Sequence, residues 1–424
     1  MKKLYACIAV LLAGAVSLWA DLPSGIADIP PRGFELGVNG RISVANSHIS
    51  MFDIFKKTIE LDFTKEPRPL YVDVGANLDF FINLNIQEEM GFGLFSGLEF
   101  LGQFALSKEL QEFLQGNELN KTYSGDIGIG GSAFMEVGAH GYFHVGQNRE
   151  KRFRIAVRPA YYFPLVYMKP NAHYIIRTSS TGGVYADFEY DFALYTPFEM
   201  EDTGSGDITD ALNSIKLDPS NLSGQGGVDI TAGVDYSILP KLLSIGAAVT
   251  HIPLFPSQLT NKAVIRGGKK LDSKDILDDL LNNGSIDDLL KDKVIESSHD
   301  NLQIFRPFKF GVHAVYTPFR YKVFSLALIP QIGYAYNDTY LQPHSFEWSA
   351  KARIGLFNIM RSNSLLAFTF STGYGDNMWN HGIGVTLNLR AVQIDIGAAS
   401  LSEDFRKSFA INGLGITTGV RFGW

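Results

Sequence analysis

Residues 70–84 read LYVDVGANLDFFINL, with an apolar residue at every even position. Leu70, Val72, Val74, Ala76, Leu78, Phe80, Ile82 and Leu84 alternate with Tyr71, Asp73, Gly75, Asn77, Asp79, Phe81 and Asn83. A two-residue period predicts a strand with one apolar face. The run is far longer than the ~5–6 residues of a common globular strand. The pattern returns over 153–165, 226–236 and 346–356, with weaker copies near 35–45, 90–101, 126–145, 243–251, 308–317, 323–335, 364–375, 382–390, 391–399 and 413–424.

A β-sandwich and a transmembrane barrel both use such strands. Three features favour the barrel. The strands reach the ~9–11 residues that cross a bilayer at a tilt. Glycine and polar residues dominate one face. Aromatic residues gather at strand ends, where Tyr161, Tyr162, Tyr167, Trp348 and Trp424 are expected to form interfacial girdles. The expected fold is all-β, an antiparallel transmembrane barrel of about fourteen strands, twelve to sixteen, with short helices in its loops.

Link lengths support that count. Short links at 85–90, 146–152, 237–241, 317–322, 357–363 and around Arg390 alternate with longer ones, as in barrels with short periplasmic turns. The run 184–194 breaks the alternation unless it pairs with 172–179 as a hairpin. Such a hairpin standing in an outer loop leaves fourteen wall strands. The largest insertion, 253–304, is acidic and predicts a solvated lid with two short amphipathic helices over 273–293, dispensable for barrel closure. Residues 107–115 predict another short helix.

Composition narrows the setting. The net charge is −7, without a long basic run, which argues against a nucleic-acid partner. Lys2 and Lys3 precede an apolar run from Leu4 to Leu18, with Ala20 at a plausible cut. Residues 1–20 thus read as a cleaved signal peptide, 21–34 as a periplasmic or plug-like segment, and 35–424 as the barrel. The only cysteine, Cys7, lies in the signal, so no disulfide holds the mature chain. An export signal and no apolar helix point to the outer membrane, with its lipid as partner.

By period, Asp73, Asp79, Glu136, Arg154, Arg158, Asp229, Asp235, Lys351 and Arg353 face the lumen, as do Glu99, Glu347, Asp395, Lys309 and Arg421. Charge there either pairs across the barrel or lines a polar channel. Gly128, Gly130 and Gly131 open one strand, where a bend relieves curvature. No G-x-S-x-G elbow, H-E-x-x-H or P-loop is present, and neither a cofactor nor a resident metal is expected. His140 and His144, four apart on one face, stand too far apart along a strand for one metal.

The chain closes on GITTGVRFGW, with Val420, Phe422 and Trp424 on one face. This resembles the terminal strand that the barrel-assembly machinery reads, which makes that machinery a partner. The layout as a whole resembles outer-membrane barrels of the fatty-acid-transporter type, including uncharacterised spirochaete and Bacteroidetes families. The family's Asn-Pro-Ala motif is absent. The resemblance implies uptake of small hydrophobic or amphipathic solutes and no enzymatic role. A structural or adhesive barrel with functional loops, and a porin for polar solutes, stand as alternatives.

Overall fold

The computed structural model describes residues 33–46, 70–86, 90–115, 118–145, 153–169, 172–181, 183–200, 215–216, 224–271, 294–336, 344–358, 364–375, 378–389, 391–402, 404–410 and 413–423. The segment read as a signal peptide lies outside these, as do residues 21–32 of the expected plug-like segment and the helices expected over 273–293; Gly33 and Phe34 are described, and Phe34 opens β1.

The alternating stretches form long strands. The first ten are β1 (Phe34–Asn46), β2 (Leu70–Ile86), β3 (Met90–Leu106), β4 (Thr122–Val145), β5 (Phe153–Lys169), β6 (Ala172–Thr178), β7 (Val184–Thr196), β8 (Glu199–Met200), β9 (Ile215–Lys216) and β10 (Gly227–Leu239). The rest are β11 (Leu243–Phe255), β12 (Ser257–Leu271), β13 (Val294–Ile304), β14 (Phe308–Arg320), β15 (Phe324–Tyr336), β16 (His344–Leu356), β17 (Leu366–Gly375), β18 (Met378–Leu389), β19 (Val392–Ser402) and β20 (Gly413–Gly423). Helix α1 (Lys108–Gln115) occupies the link where a short helix is expected.

Fourteen strands make a closed antiparallel wall in the order β1-β2-β3-β4-β5-β10-β11-β14-β15-β16-β17-β18-β19-β20. β1 closes it by pairing on both sides, so that Val38 lies opposite Phe80 of β2 and Val420 of β20. Closure removes every sheet edge from the hydrocarbon region, where an unpaired N–H or C=O would find no water.

The outer face carries the apolar half of the alternation. Leu78, Phe80, Ile82 and Leu84 on β2, Ile383 on β18 and Ile396 on β19 are all exposed, as are Ile416 and Phe422 on β20. Their in-between neighbours Asp73, Asn83, Asn380 and Gln393 are buried. An exposed apolar belt around a polar interior is the inverse of a soluble sandwich and fits a bilayer.

On one side the wall has a second tier. β6 continues the line of β5 in the same register against β4, with Gly131 opposite Met168 and Ile127 opposite Ala172. β7 pairs with both, then with β12, and β12 pairs with β13. The 172–178/184–196 hairpin therefore stands above the fourteen-stranded wall on the long-loop side. Gly128 to Gly131 lie where β4 changes neighbour from β6 to β5. A Cβ at Gly131 would come within 2.9 Å of the Leu101 carbonyl oxygen, so glycine permits the close approach of β3 there.

The 253–304 insertion differs from the solvated helical lid expected of it. Its flanks are strands, and β12 is paired along most of its length to β7 and β13. Within this tier β12 carries Lys262, Arg266, Lys269 and Lys270 and lacks the apolar stripe of a wall strand, whereas β7 keeps one in Val184, Ala186, Phe188, Tyr190, Phe192 and Leu194.

Candidate functional site: the barrel interior

The interior is built from the polar half of each strand, and it divides into two sides. Along β2–β5, β10, β11 and β14 long charged and aromatic side chains fill the space. Arg158 on β5 donates to Glu136 on β4 at 2.7 Å and lies 3.7 Å above the ring of Phe95 on β3. Glycine makes room for this layer. A Cβ at Gly97 would stand 2.9 Å from both Asp79 Oδ1 and Glu136 Oε1.

At the level of β10 and β11, Arg154 donates to Asp235 at 2.8 Å, and His313 Nε2 on β14 lies 2.9 Å from the other Asp235 oxygen. Lys309 donates to the fully buried Glu347 of β16 at 3.2 Å. Gln103 donates to Asp73 at 2.9 Å. Opposite signs thus meet across neighbouring strands and, for Lys309–Glu347, across one intervening strand, which offsets the cost of taking each charge out of bulk water.

The centre of the filled side is Arg306. It belongs to no strand and sits in the short link between β13 and β14. Its Nε and one terminal nitrogen donate to the two oxygens of Asp229 at 2.7 and 2.8 Å. Its other terminal nitrogen donates to Glu136, and its guanidinium lies 5.0 Å from the Tyr162 ring centroid. Only 3% of the side chain is exposed. The planar fork suits this two-sided carboxylate grip, which a lysine could not reproduce.

The other side, along β16–β20 and β1, is lined by small groups. A cavity of about 270 Å³ lies there, bordered by Ser349, Thr369, Ser371, Asn380, Thr386 and Thr417, with Gly382, Gly384, Gly397 and Gly415 between them. Arg41, Lys351 and Asp395 are the charged side chains on its border. Thr386 and Gln393 donate to Asp395 at 2.7 and 2.9 Å. Short side chains keep the space clear. A Cβ at Gly397 would already stand 2.4 Å from Thr417 Oγ1.

Of the charged residues read from the period, Asp73, Glu136 and Asp229 are buried, and Asp79, Arg154, Arg158, Asp235, Lys351 and Arg353 are half-buried. Glu136, Arg158 and Asp229 are brought into one network, Arg154 and Asp235 into another, and Lys351 borders the open side. Val420 and Phe422 are exposed on the outer face, and Trp424 lies outside the described residues.

The aromatic girdle needs correcting. Tyr162 and Tyr167 are buried, packed with Phe134, Leu259 and Ile304 beneath the β12–β13 hairpin. Tyr162 belongs to the even, inward face of β5. Tyr167 changes face because the β4–β5 register slips by one residue at Ala133/Phe134, and a one-residue bulge exchanges the faces beyond it. Tyr161 remains on the outer face, and Trp348 packs edge-to-face on Trp379 at 5.8 Å. Trp379 in turn meets Tyr374 and Phe405.

Sequence reasoning missed Arg306 because a link residue has no period. The proximity of two lumen acids, Glu136 and Asp229, to an arginine could not be read from spacing. His313 was passed over for a similar reason: it is a single inward histidine in a weaker copy of the pattern.

No protein-family model and no curated protein matches the chain. Among solved structures it is similar to the toluene transporter TodX of Pseudomonas putida, at 8% identity and a TM-score of 0.43, with 96% of this chain and 95% of that one covered. It is also similar to the toluene transporter TbuX of Ralstonia pickettii, at 9% identity and a TM-score of 0.45, covering 95% and 93%. The translocator domain of the autotransporter NalP from Neisseria meningitidis gives 6% identity and a TM-score of 0.35, covering 95% and 92%.

Proposed function

We propose that the chain is an outer-membrane uptake channel for small solutes, at the amphipathic end of the hydrophobic-to-amphipathic range. The observation that carries this is the one-sided interior. Paired charges and rings fill one side, and the other side keeps a cavity of about 270 Å³ lined by hydroxyl, amide and glycine positions. An apolar cavity of about 150 Å³ accommodates benzene, so the space suits a single-ring or short-chain molecule. Thr and Gly present methyl, Cα and hydroxyl surface together, which suits a solute with an apolar body and a polar end. Arg41, Lys351 and Asp395 supply charge to that end.

The same hydroxyl-rich lining favours, as the second reading, a porin for small polar solutes. Uptake into proteoliposomes separates the two. A channel for amphipathic solutes admits a short-chain or single-ring carboxylate faster than a sugar of equal volume. Faster sugar entry overturns it in favour of the porin. Equal leakage with and without the protein overturns both.

Localisation and assembly belong to the same proposal. Residues 1–20 direct export and are removed, and the segment before β1 lies on the periplasmic side or plugs the barrel. Val420, Phe422 and Trp424 present the closing strand to the assembly machinery. The apolar belt then sits in outer-membrane lipid, with Tyr161 and Trp348 at its rims.

A further inference from the structure

We propose that Arg306 is the constriction residue of the channel, closing the filled side of the lumen and setting the ion preference of the whole pore. The proposal rests on the channel reading above. Arg306 is delivered from outside the wall. The β11–β14 ladder runs from Leu243 opposite Tyr316 to Thr250 opposite Lys309, so the wall is already closed below the link that carries it. That link has no role in closure, yet its side chain is among the most buried charges of the interior.

Its position is fixed from several directions. Ile304, two residues earlier, offers its carbonyl to the hydroxyls of Ser257 and Tyr162, at 3.0 and 3.3 Å. Pro307, one residue later, lies with its carbonyl oxygen 2.7 Å from His251 Nδ1. The guanidinium then bridges β4 and β10 through Glu136 and Asp229. A residue serving only to hold the hairpin would not need to cross to two wall strands. The hairpin already has its ladder with β7 and the packing of Leu259 and Ile304 on Tyr162.

The consequence is electrostatic as well as steric. With Arg306 in place, one cation faces Glu136 and Asp229, and Glu136 is shared with Arg158. Truncation opens the crossing and leaves two carboxylates facing the new water path. Rings of like charge at a narrow point set which ions pass.

The experiment is planar-bilayer conductance and reversal potential in a salt gradient, on the full chain after signal removal. Arg306→Ala is expected to raise conductance by about twofold or more and to move the reversal potential toward cation preference. Arg306→Lys keeps the charge but not the two-sided grip, and is expected to hold the parental reversal potential while raising conductance less than Arg306→Ala. Arg306→Ala combined with Glu136→Gln and Asp229→Asn is expected to keep the raised conductance and lose the cation preference. That triple variant, in which Arg158 is the one charge left of the four, also carries the test should Arg306→Ala alone fail to fold, as judged by heat-modifiable migration. A folded variant with parental conductance and reversal potential overturns the proposal and leaves the channel reading intact. A parent that is silent while the alanine variant conducts supports a sealed constriction. Silence in parent and variants alike overturns both.

Discussion

The Tyr162 hydroxyl donates to the Ile304 carbonyl oxygen at 3.3 Å, joining a wall strand to the base of a hairpin 142 positions further along the chain. Tyr162 is fully buried and shares its cluster with Phe134, Tyr167 and Leu259. Tyr162→Phe keeps the ring and removes the hydroxyl, which also reaches the Phe255 carbonyl oxygen at 3.4 Å, while Ser257 still donates to the Ile304 carbonyl. The expected loss of unfolding free energy is about 1 kcal/mol. Tyr162→Ala empties the cluster and should cost about 3–5 kcal/mol. Urea titration in detergent or lipid, followed by tryptophan fluorescence, measures both. Equal losses would mean that the ring packs nothing.

Orientation of the wall is tested on β2. Leu78 is exposed on the outer face, and Asn77 beside it points inward. Leu78→Arg should cost about 2–4 kcal/mol in lipid if its position lies near the midplane. Asn77→Arg should cost less, because the inward face of β2 is polar and already carries Asp73 and Asp79. The comparison is unfolding free energy in the same bilayer, and a smaller loss for Leu78→Arg would reverse the assigned faces.

Gly246 tests how tightly the lower network is packed. A Cβ there would stand 2.2 Å from Asp235 Oδ1 and 2.4 Å from His313 Cε1. Gly246→Ala must push the Arg154–Asp235–His313 group aside, with an expected cost of about 1–3 kcal/mol. Pairing it with His313→Ala should recover part of that loss. Strictly additive losses in a double-mutant cycle would show that the side chains do not compete for the space.

The open side predicts a change of preference with little change in stability. Lys351→Glu places an acid beside the cavity that Asp395 already borders. Uptake of a small anionic amphipathic solute should fall several-fold, and that of the matching amine should rise. Thermal unfolding should move by a few degrees at most, since a half-exposed charge contributes little to stability. Uptake unchanged for both solutes would place the path elsewhere.

Removal of the upper hairpin tests which tier closes the barrel. Replacing 259–303 with a short Gly-Ser linker removes β12 and β13 but none of the fourteen wall strands. Loop closure costs only about 0.6 kcal/mol per doubling of length, so the wall should still form and migrate as a folded barrel. Loss of heat-modifiable migration would show that the hairpin takes part in closure.

The strands and their faces were legible because a bilayer imposes a rule at each residue. A wall strand shows lipid on one side and water or protein on the other, and the chain records this as a two-residue period. Fourteen wall strands followed from that period together with alternating link lengths. The upper tier was harder to read. β12 and β13 carry no sustained apolar stripe, so they looked like a polar loop. Tyr167 was misplaced because one slipped residue at Ala133/Phe134 inverts the phase beyond it, and only the β4–β5 pairing reveals that slip. Arg306 was invisible for the opposite reason: no local rule governs a link residue. Its partners, Glu136 and Asp229, lie 170 and 77 positions away. The period of the chain decides which face a side chain takes. Closure of the wall decides which faces meet across the lumen, because it brings β4, β10 and the β13–β14 link to one point, and that meeting has no signature along the sequence.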